Sequence, residues 1–324
     1  MSIALSSKPI PIKDAPKGAK ALSARALKAP LAILSALIAA VLVMAGCSGS
    51  AAVNPADPKA VIAELKPQGE DAFLKRDYKA ARAPLEAAAR VGSLRAIYFL
   101  RILAETGLDG AAPNPDEAHR LLSILAASEK ALASLAEKGP PRDRRIYRAA
   151  LGTLWLRGYL GPAPDPRKAQ VYAGQASRAG LLPANNLAAA ALLSGQTGSF
   201  LGRLWGGSAE EAWEMTRAAA RAGDVIAMGN ASYMARSGIG TDADPYLGAT
   251  WARRAASLPE ATPRVQNDLG FYYEQGLAVT PDKEEAARWY QLAAARGYPQ
   301  AQSNLARLKA GGAGNPEVFE GIEY

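Results

Sequence analysis

Cysteine and histidine, the side chains most often used as nucleophiles, bases or metal ligands, each occur once in this chain of 324 residues. Cys47 lies in VLVMAGCSGS, and His119 lies in PDEAHRLL. A thiol nucleophile needs a neighbouring base, and Glu117, two residues before His119, would lie on another face of a helix and complete no metal pair. The sequence contains no phosphate-binding loop, GxSxG or HExxH motif. We therefore expect no catalytic residue, no metal and no cofactor.

The residues before Cys47 indicate the chemistry of its thiol. The apolar run LAILSALIAAVLVM, residues 31–44, follows a basic segment and is closed by the small pair Ala45 and Gly46. This order is typical of a secretory signal, and the run is shorter than the roughly 20 residues of a membrane span. The segment also resembles a bacterial lipoprotein signal. The resemblance implies removal of residues 1–46 and attachment of diacylglyceryl and a further acyl chain, such as palmitate, to Cys47. An uncleaved signal anchor is the alternative.

The residues after Cys47 bear on the location of the mature chain. By the sorting rule of enterobacterial lipoproteins, Ser48 implies the outer membrane, facing the periplasm, whereas an inner-membrane anchor is the alternative. Residues 47–68 are then a flexible tether between the lipid and the folded part.

The basic balance of the chain comes mainly from its N-terminal segment. The whole chain has 38 Lys+Arg against 30 Asp+Glu, a formal charge of +8. Residues 1–46 contain six Lys+Arg and one Asp, which is +5, so +3 remains for the rest. We therefore expect no nucleic-acid partner.

A stripe of small and aromatic residues recurs along the chain. It begins at Ala286 and continues at offsets 3, 4, 7, 8 and 11, which lie on one face of a helix. The same stripe begins at Ala81, Ala169, Ala212 and Gly248. Its closing positions at 180, 223, 259 and 297 are 43, 36 and 38 residues apart. This spacing predicts a repeat array.

Each unit also contains a helix before the stripe. In the clearest units this helix ends at Gly158 or Gly276, because glycine takes the left-handed C-cap conformation at little cost. The Pro- and Asp-containing stretches APDPRKA and TPDKEEA then begin the next helix, where Asp suits the exposed amides.

The pattern A–L–G–x–x–Y–x–x–G, an Asp-containing turn and A–x–x–W–Y–x–x–A–A–x–x–x–G resembles the Sel-one-like (Sel1-like) repeat, a relative of the tetratricopeptide repeat. The resemblance implies an all-α fold, a right-handed α–α superhelical solenoid whose concave face binds proteins. We expect about six helix pairs over residues 69–310, with 299–310 as a capping helix. The periodicity alone favours the same architecture, because each pair buries its stripe only against a neighbour.

One interruption of the repeat carries large apolar residues. The loop GQTGSFLGRLWGGSAEE contains Phe200, Leu201, Leu204 and Trp205, and Trp213 follows one position off the stripe. Such a loop needs cover. It either plugs its own repeat or docks a partner through these five residues.

A second interruption carries Arg142, Arg144, Arg145 and Arg148, after a stretch expected to lengthen the helix that follows Asp116. Four arginines so close together suit an acidic partner, a phospholipid head group or an anionic polymer, or they belong to a solvated loop and helix start.

The last segment, residues 311–324, contains three glutamates and no basic residue. This composition predicts disorder, with docking in a groove as the lesser alternative.

Together these features predict a lipid-anchored, periplasm-facing adaptor that binds protein partners of an envelope assembly, such as secretion, surface-polysaccharide or appendage machinery. A periplasmic regulator of a membrane sensor and a peptidoglycan- or glycan-binding protein are the alternatives.

Overall fold

A computed structural model of the chain describes residues 67–194 and 209–311, together with 315, 316, 318 and 321–324. Helices and turns make up these residues, and no strand occurs among them. Residues 67–74 are helical, so the helical part includes two residues that the sequence assigned to the tether. The helices that follow are α1 Tyr78–Arg90, α2 Leu94–Thr106, α3 Pro115–Ala127, α4 Glu129–Lys138, α5 Pro141–Leu156, α6 Pro166–Arg178, α7 Pro183–Ser194, α8 Ala209–Arg221, α9 Val225–Ser237, α10 Pro245–Ala256, α11 Pro263–Gln275, α12 Lys283–Ala295 and α13 Pro299–Lys309.

Within the described residues, the helices form six pairs, the first of which is residues 67–74 with α1. Helix α4 is additional, and α13 is a final single helix; about six pairs and a capping helix were predicted. Each helix packs on the next one along the chain. The first helices of successive pairs also contact one another in the order α2, α5, α7, α9 and α11. A continuous row of contacts between first helices makes them the inner layer of a solenoid, and we call the surface of this layer the concave face.

Capping residues set the boundaries of the pairs, and they follow the sequence prediction. Asp165 and Asp282 accept backbone N–H groups at the starts of α6 and α12. Gly276 ends α11 with φ +64°, and Gly158 follows α5 with φ +74°. Left-handed glycine at the end of a first helix lets the chain reverse into the second helix without steric strain.

The predicted stripe is the packing surface of the second helices. Ala169, Ala173 and Ala176 of α6 are all fully buried. The small residues allow α5 and α6 to approach closely, since a Cβ on Gly152 would lie 3.2 Å from the backbone of Ala169 and Ala173. The same relation occurs between α11 and α12 at Gly270.

The segment after α3 is not one lengthened helix, so that prediction is wrong. It forms two helices, α3 and α4, divided at Ser128. The Ser128 hydroxyl donates to the carbonyl of Ile124 at 3.0 Å, which competes with continuation of the helix. Helix α4 then buries Leu132 and Ala136 and packs on α5, so the insertion adds a helix to the solenoid.

Parts of the chain that are far apart in sequence meet around the solenoid. Arg296, between α12 and α13, donates to the carbonyl oxygens of Ala261 at 2.6 Å and of Ala111 at 3.3 Å, and also to that of Gly107. The turn between α2 and α3 therefore lies beside the last helix pair.

The difference between two helical glycines tests the close packing. Gly270→Ala is expected to lower the melting temperature, because the new Cβ would lie 2.7 Å from a ring carbon of Tyr290 and 3.2 Å from the carbonyl oxygen of Ala286. Overpacking of this kind costs about 1–3 kcal/mol. The control is Gly174→Ala in α6, where the Cβ would meet only the flexible end of Arg178 at 3.3 Å. There the helix-propensity gain of up to about 1 kcal/mol should raise the melting temperature. Equal effects of the two substitutions in thermal denaturation would contradict this account.

Candidate interaction surface

The concave face carries polar side chains that are almost fully buried. Arg101 of α2 is 1% exposed, Asn230 of α9 is 0% exposed and Arg264 of α11 is 3% exposed. Burial of amide and guanidinium groups costs free energy unless each finds hydrogen-bond partners. Their partners therefore identify what this face is built to hold.

A short segment of the same chain, residues 321–324, lies against these side chains. Its sequence is Gly-Ile-Glu-Tyr. Two members, Ile322 and Tyr324, are partly buried and pack against the main hydrophobic core. For these four residues the structure shows the lesser alternative, docking in a groove, and not disorder, because the concave face supplies hydrogen bonds and apolar cover that composition does not reveal.

Asn230 binds the main chain of this segment at both of its amide atoms. Its Nδ2 donates to the carbonyl oxygen of Glu323 at 2.8 Å, and its Oδ1 accepts the N–H of Glu323 at 2.9 Å. Paired contacts to the N–H and C=O of one residue recognise an extended backbone and place no demand on that residue's side chain. We call this pair of bonds the Asn230 clamp.

Neighbouring polar groups hold the clamp in its orientation. Arg264 donates from NH1 to Asn230 Oδ1 at 2.8 Å, and because a guanidinium has no acceptor, the amide oxygen must face it. Asn230 Nδ2 also reaches Asn186 Oδ1 at 3.3 Å, and Asn186 Nδ2 donates to Asp224 Oδ1 at 3.2 Å. This row of side chains runs from the start of α9 through α7 to α11.

Two buried arginines extend the main-chain contacts on either side of the clamp. Arg264 NH2 donates to the carbonyl oxygen of Gly321 at 3.3 Å, and Arg101 NH1 donates to the main-chain oxygen of Tyr324 at 2.8 Å. Arg101 is itself paired with Glu105 at 2.5 Å. The segment is thus held at three of its four residues through backbone atoms.

Side-chain contacts add preferences at two positions. The Glu323 carboxylate lies 3.5 Å from Arg264 NH1. The guanidinium carbon of Arg157 lies over the Tyr324 ring at 4.7 Å from its centre, within the range of a cation–π contact.

Burial makes the Glu323 carboxyl hold its proton more tightly. Its pKa is raised to about 7, mainly by desolvation and also by the nearby charges of Glu105 and Asp268, against a lowering by Arg264. Burial also raises the pKa of Asp268, a second carboxyl that faces Arg264. The single positive charge of Arg264 therefore faces two carboxyl groups, those of Glu323 and Asp268.

Several residues singled out in the sequence lie outside the described part of the chain. They are Cys47 and the loop residues Phe200, Leu201, Leu204 and Trp205. Acylation and the two hypotheses for the loop remain predictions. Trp213 is described and is only 6% exposed within the core of α8 and its neighbours, so its assignment to a partner-binding surface is wrong. The buried stripe of α8 is wider than the small-residue pattern indicates, because Ala212, Trp213 and Thr216 are all covered.

The arginine run does not form one open patch. Arg142 pairs with Asp71 at 2.9 Å, and Arg145 donates to the carbonyl oxygen of Gly180 at 3.1 Å, just after α6. Arg144 and Arg148 are partly buried. Two of the four side chains therefore have partners within the chain, Arg142 on the first helix and Arg145 on the turn after α6.

The single histidine of the chain lies beside a tyrosine. His119 is exposed, and its Nδ1 lies 2.5 Å from the Tyr159 hydroxyl. Across the described residues, no group of three or more His, Cys, Asp or Glu side chains is placed to hold a metal ion. Among the described helices, none combines the length and the apolar character that a membrane span requires.

The sequence analysis missed Asn230 and Arg264. Their only signal was a polar side chain on a helix that was expected to be buried.

Docking of residues 321–324 should weaken as the pH rises. The pKa of Glu323 is about 7 when the segment is docked, against 4.5 ordinarily, so the docked state favours the protonated carboxyl. Docking is expected to be strongest below about pH 4.5 and to lose roughly two orders of magnitude in its equilibrium constant by about pH 7, with little change above. The docked population can be followed by the Glu323 amide signal in nuclear magnetic resonance spectra. The control, Glu323→Gln, should show no such change; the same slope in both chains would contradict the assignment to Glu323.

The Sel1 repeat model matches four stretches of the chain, residues 85–129, 147–181, 225–259 and 263–298. These stretches cover the pairs α2–α3, α5–α6, α9–α10 and α11–α12. The pair α7–α8, which contains the long loop, lies between matched repeats. A comparison with curated proteins gives no match.

Three solved structures are similar to parts of this chain. One is a Sel1 repeat protein from Oxalobacter formigenes, with 25% identity and a TM-score of 0.45, covering 59% of this chain and 74% of that one. A second is a protective antigen of uropathogenic Escherichia coli with an SLR fold, with 22% identity and a TM-score of 0.47, covering 79% and 49%. A third, from Klebsiella pneumoniae subsp. pneumoniae, has 19% identity and a TM-score of 0.41, covering 70% and 99%.

The repeats matched by the family model coincide with the helix pairs of the solenoid and confirm the resemblance seen in the sequence. Sel1 repeats generally mediate protein–protein interactions as non-catalytic scaffolds. The chain therefore contains four Sel1 repeats.

Proposed function

We propose that this protein is an adaptor of the bacterial cell envelope that holds extended segments of partner proteins on its concave face. The observation that carries the proposal is the Asn230 clamp. Because its two bonds go to the N–H and C=O of a single residue, the clamp can accept any extended chain whose side chains fit beside it. An adaptor for several partners needs this kind of recognition.

The surroundings of the clamp favour a polypeptide ligand over a small molecule. Arg101 and Arg264 direct donors to main-chain oxygens at two further points along the face. Successive donors along a line match the repeating carbonyl groups of an extended peptide. A compact ligand would leave some of these buried donors without acceptors, at a cost of about 1–3 kcal/mol for each.

The envelope location is proposed from the N-terminal sequence. Residues 1–46 have the features of a lipoprotein signal, and Cys47 would carry the lipid. Two or three acyl chains would give stable anchoring, since a single chain gives only marginal binding. Ser48 favours the outer membrane with the solenoid facing the periplasm, where secretion, surface-polysaccharide and appendage machines offer partners.

Lipid attachment can be tested at one residue, because Cys47 is the single cysteine of the chain. Bacteria expressing the full chain and fed an alkyne analogue of palmitate should label the wild-type protein and leave Cys47→Ser unlabelled. Ser48→Ala is the control, because it alters the neighbouring residue and keeps the thiol. Label on Cys47→Ser, or no label on the wild type, would count against the anchor.

Partner binding can be tested by affinity capture from detergent-solubilised envelopes. Asn230→Ala removes the clamp and should reduce the recovery of specific partners about tenfold or more, as expected for loss of more than about 1.4 kcal/mol. Ser232→Ala is the matched control, because Ser232 is equally buried on α9 but bonds the Tyr272 hydroxyl at 3.0 Å instead of the segment.

The identity of the captured proteins decides between the functions. Partners retained by Asn230→Ala would remove the concave face from the proposal and direct attention to residues 197–206. Capture of a sensor kinase would favour the regulator. If the wild type captured no protein and bound purified peptidoglycan, the adaptor proposal would be wrong.

A further inference from the structure

The concave face is occupied by the chain's own residues 321–324, and the order of their side chains describes what the face accepts. Gly321 presents its carbonyl oxygen to Arg264, and Ile322 packs against the hydrophobic core. Glu323 lies in the clamp with its carboxylate beside Arg264. Tyr324 packs its ring under Arg157.

The charges of the face explain the acidic and aromatic positions. Arg264 is 3% exposed, and Arg157 is at the rim with a 40% exposed side chain. A buried guanidinium favours an anion or strong acceptor, whereas a guanidinium at the rim can lie flat on a ring. Glu105 connects the two arginines that contact Tyr324, since it pairs with Arg101 at 2.5 Å and with Arg157 at 3.3 Å. The face therefore places an acidic side chain beside Arg264 and an aromatic ring beside Arg157.

We propose that residues 321–324 are a resident occupant of the binding face, and that the partner ligand is an extended peptide with the same order of small, apolar, acidic and aromatic residues, which must displace this segment to bind. This inference rests on the proposed adaptor function and specifies its ligand. Until a partner displaces it, the segment supplies acceptors to three buried donors.

The contacts that bind residues 321–324 are weak enough for a partner peptide to replace this segment under the proposal. A tethered segment competes at an effective concentration in the millimolar range, so a partner must bind more tightly or be locally concentrated. Burial of the Glu323 carboxylate opposes docking at neutral pH, as the raised pKa shows. A partner with the same backbone contacts and better side-chain pairing can then replace the segment.

The test uses full chains and the synthetic peptide acetyl-Gly-Ile-Glu-Tyr-amide, titrated by calorimetry. Glu323→Pro removes the N–H that the clamp accepts and should release the chain's own segment. We expect this variant to bind the peptide about tenfold or more tightly than the wild type, where the segment competes. Glu323→Ala is the matched control, because it keeps the N–H and removes the carboxylate whose burial opposes docking. It should bind the peptide no more tightly than the wild type. The peptide acetyl-Gly-Ile-Pro-Tyr-amide should bind none of them, and Asn230→Ala combined with Glu323→Pro should lose binding of the first peptide.

Three outcomes would overturn the inference. Equal affinity of wild type and Glu323→Pro for the peptide would show that the segment does not compete. Absence of peptide binding by every chain would show that the ligand class is wrong. Dimerisation of the wild type in analytical ultracentrifugation, abolished by Glu323→Pro, would place the segment in a second copy.

The proposed function is judged by a separate measurement. If partner capture depended on Asn230 and no chain bound the peptide, the adaptor proposal would be supported and only the proposed ligand class would be wrong. If the chains bound the peptide and captured no partner, the peptide site would be supported and the envelope adaptor would not.

Discussion

The close approach of paired helices is the constraint on which the rest of this structure depends. Gly270 of α11 sits against the Tyr290 ring of α12, and Gly152 of α5 meets the backbone of α6. At such separations the second helix can present only small residues, and one ring per pair fills the remaining space. The first helices are then drawn into a continuous inner layer. Several polar side chains on that layer, Arg101, Asn230 and Arg264 among them, are buried between neighbouring helices.

This crowding gives the concave face its chemistry. A side chain such as Asn230, fully buried, has no water to satisfy it and is oriented instead by Arg264 and Asn186. Fixed orientation is what allows one amide to contact both backbone groups of a docked residue. The cost of burying polar groups is offset only while acceptors are present. A face built in this way is expected to be occupied, first by the chain's own segment and then by a partner.

The elements that follow local rules could be predicted from the sequence. The stripe from Ala169 to Ala176, the left-handed Gly276 and the Asp282 cap each depend on residues within one or two turns, and all three were predicted. The division at Ser128 was missed because a single serine changed the local hydrogen bonds within a good helical pattern. Trp213 was misassigned because the width of a buried face depends on neighbouring helices.

The binding face itself could not be predicted, because its contacts join residues far apart in the chain. Glu323 meets Asn230 across 93 residues, and Tyr324 meets Arg101 across 223 residues. The composition of the final segment, with its three glutamates, indicates disorder. It carries no information on the buried Arg264, which only the superhelix brings near Glu323. Polar residues on a buried helix were the available signal for a site.

The tight coiling of the solenoid limits the size of the ligand that the concave face can hold. Four extended residues span at most about 14 Å, yet residues 321–324 reach Arg101 in the second helix pair and Arg264 in the sixth. The superhelix must therefore coil tightly, and the bonds from Arg296 to the turn between α2 and α3 hold the two regions together. A helix has a diameter of about 10 Å with its side chains and hydrogen-bonds its own backbone, so it would fill this space without satisfying Asn230, Arg101 or Arg264. An extended strand offers free carbonyl groups and a smaller cross-section. Under the proposed function, the same tight coiling that assembles the site favours extended chains as ligands.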